Sequence, residues 1–157
     1  MIKKIAFQQE ILQSIIEVAQ IHAKRLKYAM KKLNSYFPIS PETILTLSED
    51  ELPLFELYTS RFSKLQDLMG NALYPKLLAS TGEPVDEMTF IDRLNRLEKL
   101  GVIDDAENWM KMRQIRNHLS HEYPDQPELT AEYLNDAFDF GVTLLRYLEK
   151  TIQFSKI

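Results

Sequence analysis

The amino-acid sequence predicts an all-α protein, an antiparallel up-and-down bundle of four to five helices. Three observations carry this. Apolar residues recur at steps of three and four in five separate stretches. No stretch alternates apolar and polar residues as a half-buried strand would. Only four glycines occur in 157 residues, few for the phosphate loops of α/β nucleotide folds or the turns of most all-β folds. The length fits one helical domain over 1–157.

The first helix is expected from about Lys4 to Tyr36, without Pro or Gly, on a stripe of Leu12, Ile15, Ala19, His22, Leu26, Ala29 and Leu33. Phe37-Pro38 ends it, because proline disfavours helix in the residue before it. The following PISPETILTL reads as a connector with room for one helical turn. Ser48 and Glu51 form a capping-box pattern for the second helix, with Pro53 in its first turn. Its stripe runs Leu54, Leu57, Tyr58, Phe62, Leu65, Leu68, Met69 and Leu73. Pro75 should kink or break it near Tyr74. STGEPVDE is the clearest loop. A short third helix follows, capped by Thr89 with Asp92, facing inward with Leu94, Leu97 and Leu100, and ended by Gly101. The fourth begins after Asp104 or Asp105, carries Trp109, Met112 and Ile115, and stops by Tyr123, ahead of Pro124. The last starts near Pro127 or Thr130 and reaches about Phe154, with a stripe of Leu134, Phe138, Val142, Leu145 and Leu148. Gly141 inside it costs about 1 kcal/mol against alanine, so another helix should approach closely there.

Composition closes off several function classes. There are no cysteines, so disulfides, thiolate nucleophiles, Fe–S clusters and cysteine-bound zinc are out. That suits a reducing cytoplasm. No secretory signal is evident, and no apolar run is long enough to span a membrane. The net charge of -4 argues against a bulk basic coat for nucleic acid. The charge is uneven, however. Residues 1–37 carry seven Lys or Arg against Glu10 and Glu17, while the remainder is acidic. Lys24, Lys27 and Lys31, with Arg25 and Lys32 nearby, read either as a solvated face or as a track for RNA phosphates.

One stretch concentrates chemistry: MRQIRNHLSHEYP, residues 112–124. Arg116 and His121 lie five positions apart, about 140° around an ideal helix. Arg116 is long enough to close that gap, and unwinding before Pro124 would swing His121 round. Asn117 neighbours His121, and Arg116 neighbours Ser120, at steps of four. Together they supply a permanent cation, an imidazole and two hydrogen-bonding side chains. Metal-free RNA cleavage needs such a set. A histidine takes the 2′-OH proton or donates one to the leaving oxygen. An arginine fork holds the phosphoryl oxygens as negative charge builds. The plainer reading is a helix end whose cations complement its dipole.

The string Arg116-Asn117, three residues, then His121-Glu122-Tyr123 resembles the signature of HEPN domains. The tyrosine two beyond the histidine narrows it to the HepT-like toxin branch, whose pattern is Arg, four residues, His, any residue, Tyr. RFSKLQD, TFIDRLNRLEKLG and W-x-x-x-R-x-I-R also resemble one subgroup, so the likeness covers roughly residues 50 to 150. The resemblance implies a helical bundle, a homodimer with two motifs facing one cleft, and metal-independent endoribonuclease activity without a cofactor. It implies a minimal nucleotidyltransferase antitoxin as partner, which adenylylates the motif tyrosine. Arg116 and His121 would be catalytic, Asn117 would shape the site with Ser120 in support, and Tyr123 would be the modified residue. Other members are non-catalytic nucleotidyltransferase partners, and the motif alone does not separate the two.

Other residues have plainer readings beside the sharp ones. Tyr123 could instead pack the helix end, and His118 points elsewhere on the helix. A His118/His121 metal pair would lack further ligands, so no metal site is expected. Arg61 and Asp67 could reach the motif and orient Arg116, or form an exposed pair. Trp109 reads as core or a dimer contact.

Overall fold

The computed structural model describes residues 2–121, 123 and 125–156. It is an all-α bundle, and among the described residues there is no strand. Its helices are α1 (Ile2–Leu33), α2 (Pro41–Thr46), α3 (Leu52–Leu68), α4 (Tyr74–Ser80), α5 (Phe90–Leu100), α6 (Ala106–Leu119) and α7 (Pro127–Ser155). α1 packs on α3, α4 and α7; α6 packs on α3, α5 and α7. No helix among the described residues is long and apolar enough to cross a membrane.

Local sequence sets most of the ends. Thr89 and Asp92 make the reciprocal capping box of α5, and Gly101 closes it at φ 80°. Asp105 caps α6 by accepting from the Asn108 N–H at 2.6 Å. Ser40 caps α2 by accepting from the Thr43 N–H at 3.1 Å. Ser48 and Glu51 do exchange capping-box bonds, but over a turn that precedes α3. α1 tightens into a 3-10 turn, Asn34–Tyr36, and the connector after it is pinned to α7. Asn135 does the pinning: it accepts from the Ile39 N–H at 2.7 Å and donates to the Ile39 carbonyl at 3.0 Å.

Of the kink or break expected near Tyr74, no break occurs, and the helical path is irregular there instead. A π-helical turn, Met69–Leu73, joins α3 to α4, and the Tyr74 N–H donates to the Met69 carbonyl five residues back. The wider turn absorbs the missing proline N–H and relieves its ring of the Asn71 carbonyl.

Two stripes are rotated from their expected positions. In α1 the core takes Ile16 and Ala23, leaving Ile15 and His22 half-buried. In α7 it takes Ala131, Leu134, Ala137, Gly141, Leu144, Tyr147, Leu148 and Thr151. Val142 is instead 60% exposed, and Leu145 is only half-buried. Small residues line that seam, so neighbouring backbones come close. A Cβ at Gly141 would clash with the Tyr58 hydroxyl of α3, which donates to the Ala137 carbonyl at 2.6 Å. This is the close approach that Gly141 predicts. Trp109 is fully buried, edge-on to Tyr74 at 5.1 Å.

Candidate functional site

The site forms where the last turns of α3 and α6 run side by side. Asp67 belongs to the first, Arg116 to the second. Arg116 Nη2 donates to Asp67 Oδ2 at 2.5 Å, and Nη1 donates to Asn117 Oδ1 at 2.8 Å. The two charged side chains are 33% and 36% exposed, so the fork is held in place yet reachable. Both bonds lie on the terminal guanidinium nitrogens and leave other N–H groups for a ligand. An ion pair this open contributes roughly 0–1 kcal/mol to stability; its effect is on orientation.

Of the two α3 residues that could reach the motif, Asp67 does. Arg61 turns away and donates from Nη1 to Nδ1 of His22 on α1 at 2.9 Å. That bond assigns the neutral tautomer protonated on Nε2. Burial, with Arg61 and Lys64 nearby, holds the His22 pKa below its usual range.

The other motif residues lie where the helix has ended. α6 stops at Leu119, and Ser120 is its C-cap. Ser120 Oγ donates to the Asn117 carbonyl at 2.7 Å, so its proton serves the helix end rather than the Arg116 fork. His121 follows, exposed, its backbone N–H donating to the His118 carbonyl at 3.2 Å. His121 thus lies just past the last turn of α6, and among the described residues no hydrogen bond joins its imidazole to Asn117. Among the described residues no side-chain hydrogen bond engages it. Glu122 and Pro124 lie outside the described residues.

His118 and Tyr123 meet through a residue the sequence reading missed. His118 stacks on Tyr133 of α7 with centroids 4.1 Å apart and planes 4° apart. Tyr123 tilts against the same Tyr133 ring at 5.5 Å and 51°. Tyr133 thus anchors the segment after α6. Partial desolvation, then the neighbouring Tyr123 and Glu132, raises its pKa. The only advance signal for Tyr133 is an aromatic on the flank of the α7 stripe.

Beside Arg116 the π turn opens a small cleft of about 60 Å³, bordered by Asp67, Asn71, Arg113 and Arg116. The Arg113 guanidinium lies over the Phe90 ring at 4.6 Å. Gln66 and Trp109 also line it, and each has a buried polar atom without a protein partner, Oε1 and Nε1. Gly70 keeps the wall thin: a Cβ there would come within 3.2 Å of the Trp109 ring. Pro75 was the sequence signal for this irregularity, read as a kink or break near Tyr74 rather than as a widened turn. Among the described residues no three His, Asp or Glu side chains gather as a metal site would require.

Fold and site thus define an all-α bundle with an oriented arginine and an exposed histidine at one helix end. No family model, curated protein or solved structure matches the chain.

Proposed function

We propose that this chain is a HEPN-type protein of the HepT-like branch, a metal-independent endoribonuclease toxin acting in the cytoplasm. The observation that supports it best is the Arg116 fork, fixed by Asp67 and Asn117 while still accessible. Arg116 grips the non-bridging oxygens of the scissile phosphate. The ribose 2′-oxygen attacks phosphorus and loses its proton, the P–O5′ bond breaks, and the 5′-oxygen gains a proton. His121 takes or gives one of these protons. Its exposed place past the C-cap leaves the ring free to swing towards substrate. A homodimer brings two motifs to one cleft, and a minimal nucleotidyltransferase is the antitoxin. It transfers an adenylyl group from ATP to the Tyr123 hydroxyl, with pyrophosphate leaving. The half-buried position of Tyr123, two residues past His121, is compatible with blocking RNA once modified.

A second reading, a non-catalytic binding partner of a nucleotidyltransferase, is favoured by one observation. Among the described residues no hydrogen bond joins His121 to the Arg116 fork, and that fork is already engaged by Asp67. Incubation of purified protein with RNA, with and without EDTA, separates the two. The nuclease reading expects cleavage that survives EDTA and disappears in Arg116→Ala and His121→Ala. Equal inertness of wild type and variants, with unchanged partner binding, leaves the second reading. Mass spectrometry with the partner and ATP should place one adenylyl group on Tyr123; addition elsewhere, or none, removes that role.

A further inference from the structure

α1 carries a second pattern that its own bundle does not use. Its core face runs from Leu12 to Leu33. Outside that face Phe7, Val18, Ile21 and Tyr28, with the half-buried Ile11 beside α4, fall at the alternating steps of a heptad seam, with Ser14 and Arg25 in the two remaining places. Phe7, Val18, Ile21 and Tyr28 are 62%, 44%, 54% and 52% exposed. Beside this seam runs a line of exposed charges at steps of seven: Glu10, Glu17, Lys24 and Lys31. The line is acidic in its first half and basic in its second.

We propose that two copies of this chain associate through the outer face of α1, packed antiparallel. The charge line selects that occupant and that direction. Antiparallel pairing sets Glu10 by the other copy's Lys31 and Glu17 by its Lys24; parallel pairing would leave the two charge lines on opposite sides of the seam, without this pairing. The same register places Val18 against the second copy's Ile21, and Ile11 against its Tyr28. Ser14 meets Arg25, a polar layer of the kind that fixes register in a helical seam. The paired stretch from Phe7 to Lys32 spans roughly 39 Å of helix. The seam residues all lie on α1, and although α1 and α6 both pack on α3 and α7, they are not principal neighbours of each other. The contact is therefore separate from the motif, and the proposal does not rest on the nuclease reading.

Sedimentation velocity at low salt tests it on the full chain. Wild type should sediment at twice the chain mass or more. Glu10→Lys/Glu17→Lys makes the line wholly basic, and Lys24→Glu/Lys31→Glu makes it wholly acidic. Each pair should halve the wild-type mass, and mixing the two should restore it. All four positions are exposed, and circular dichroism checks that both variants remain helical. Direction is read by cross-linking, because the chain has no cysteine of its own. Val18→Cys mixed with Ile21→Cys should oxidise to a dimer far faster than Val18→Cys alone. A monomeric wild type overturns the proposal. So do charge variants that keep the wild-type mass, which would place self-association elsewhere. Loss of RNA binding in the acidic variant at unchanged mass would likewise overturn it, making the lysines a nucleic-acid track.

Discussion

Replacing Gly141 with alanine puts the close packing of α7 on α3 to a direct test. On an isolated helix the change stabilises by about 1 kcal/mol. Here the new Cβ would meet the Tyr58 hydroxyl, itself 1% exposed and hydrogen-bonded to the Ala137 carbonyl at 2.6 Å. Burial pushes the Tyr58 pKa far above its usual value, so ionisation offers no escape. Overpacking costs about 1–3 kcal/mol, and a buried hydroxyl forced off its acceptor costs about 1–3 more. After the helical gain, the net loss is about 1–5 kcal/mol. A loss near the middle of that range lowers Tm by roughly 6–12 °C. Urea denaturation at fixed pH reads it, with Tyr58→Phe as the second arm of a double-mutant cycle. Without the hydroxyl, the alanine should lose most of its penalty, giving a coupling well above the roughly 0.5 kcal/mol scatter of independent sites. A Gly141→Ala protein as stable as wild type, or equal penalties in both backgrounds, would refute the packing argument.

Three further predictions follow from individual side chains. Asp67→Asn should cost no more than about 1 kcal/mol of stability, as an open pair does, yet lower RNA cleavage at least tenfold, chiefly in kcat, by freeing the Arg116 fork; unchanged cleavage contradicts its positioning role. Hydrogen bonds from Arg146 and Lys150 hold the Asp104 carboxyl down to about 2, below the roughly 3.9 of an unfolded aspartate. Its stabilisation is therefore present above about pH 4 and lost as pH falls towards 2. Asp104→Asn should shrink the difference between urea midpoints at pH 7 and pH 2.5, and an unchanged difference argues against it. His22 is held below its ordinary 6.5 by burial and by Arg61 and Lys64, so the unfolded chain protonates first. That contribution is full above pH 6.5 and lost as pH falls through the lowered value. His22→Gln should flatten the stability profile just below pH 6.5, and a profile of wild-type slope counts against the buried neutral imidazole.

The sequence was most legible where one residue type has one physical use. Thr89 with Asp92, and Gly101, mark both ends of α5 because a capping box and a left-handed closure each demand them. Gly141 marked a close approach for the same reason. Legibility failed where partners come from distant parts of the chain. In the α7 stripe Leu134 and Leu148 are buried as read, but Val142 is exposed and Leu145 only half-buried, because α3 presses close along Ala137 and Gly141 instead. Pro75 announced a disturbance but not its form, since a π turn depends on what packs around it. At the site, Arg116, Asn117 and Asp67 were named in advance and do converge. The meeting of Asn117 with His121 assumed a helix running past Leu119, and the ring pairing of His118 with Tyr133 left no periodic trace.

The central claim is that this helix end cuts RNA by intramolecular 2′-oxygen attack without a metal. End-group analysis of an RNA incubated with the purified protein in EDTA reads that chemistry itself. The account predicts 2′,3′-cyclic phosphate and 5′-hydroxyl ends, absent with Arg116→Ala and with His121→Ala. Intact RNA, or 3′-hydroxyl and 5′-phosphate ends, would contradict it.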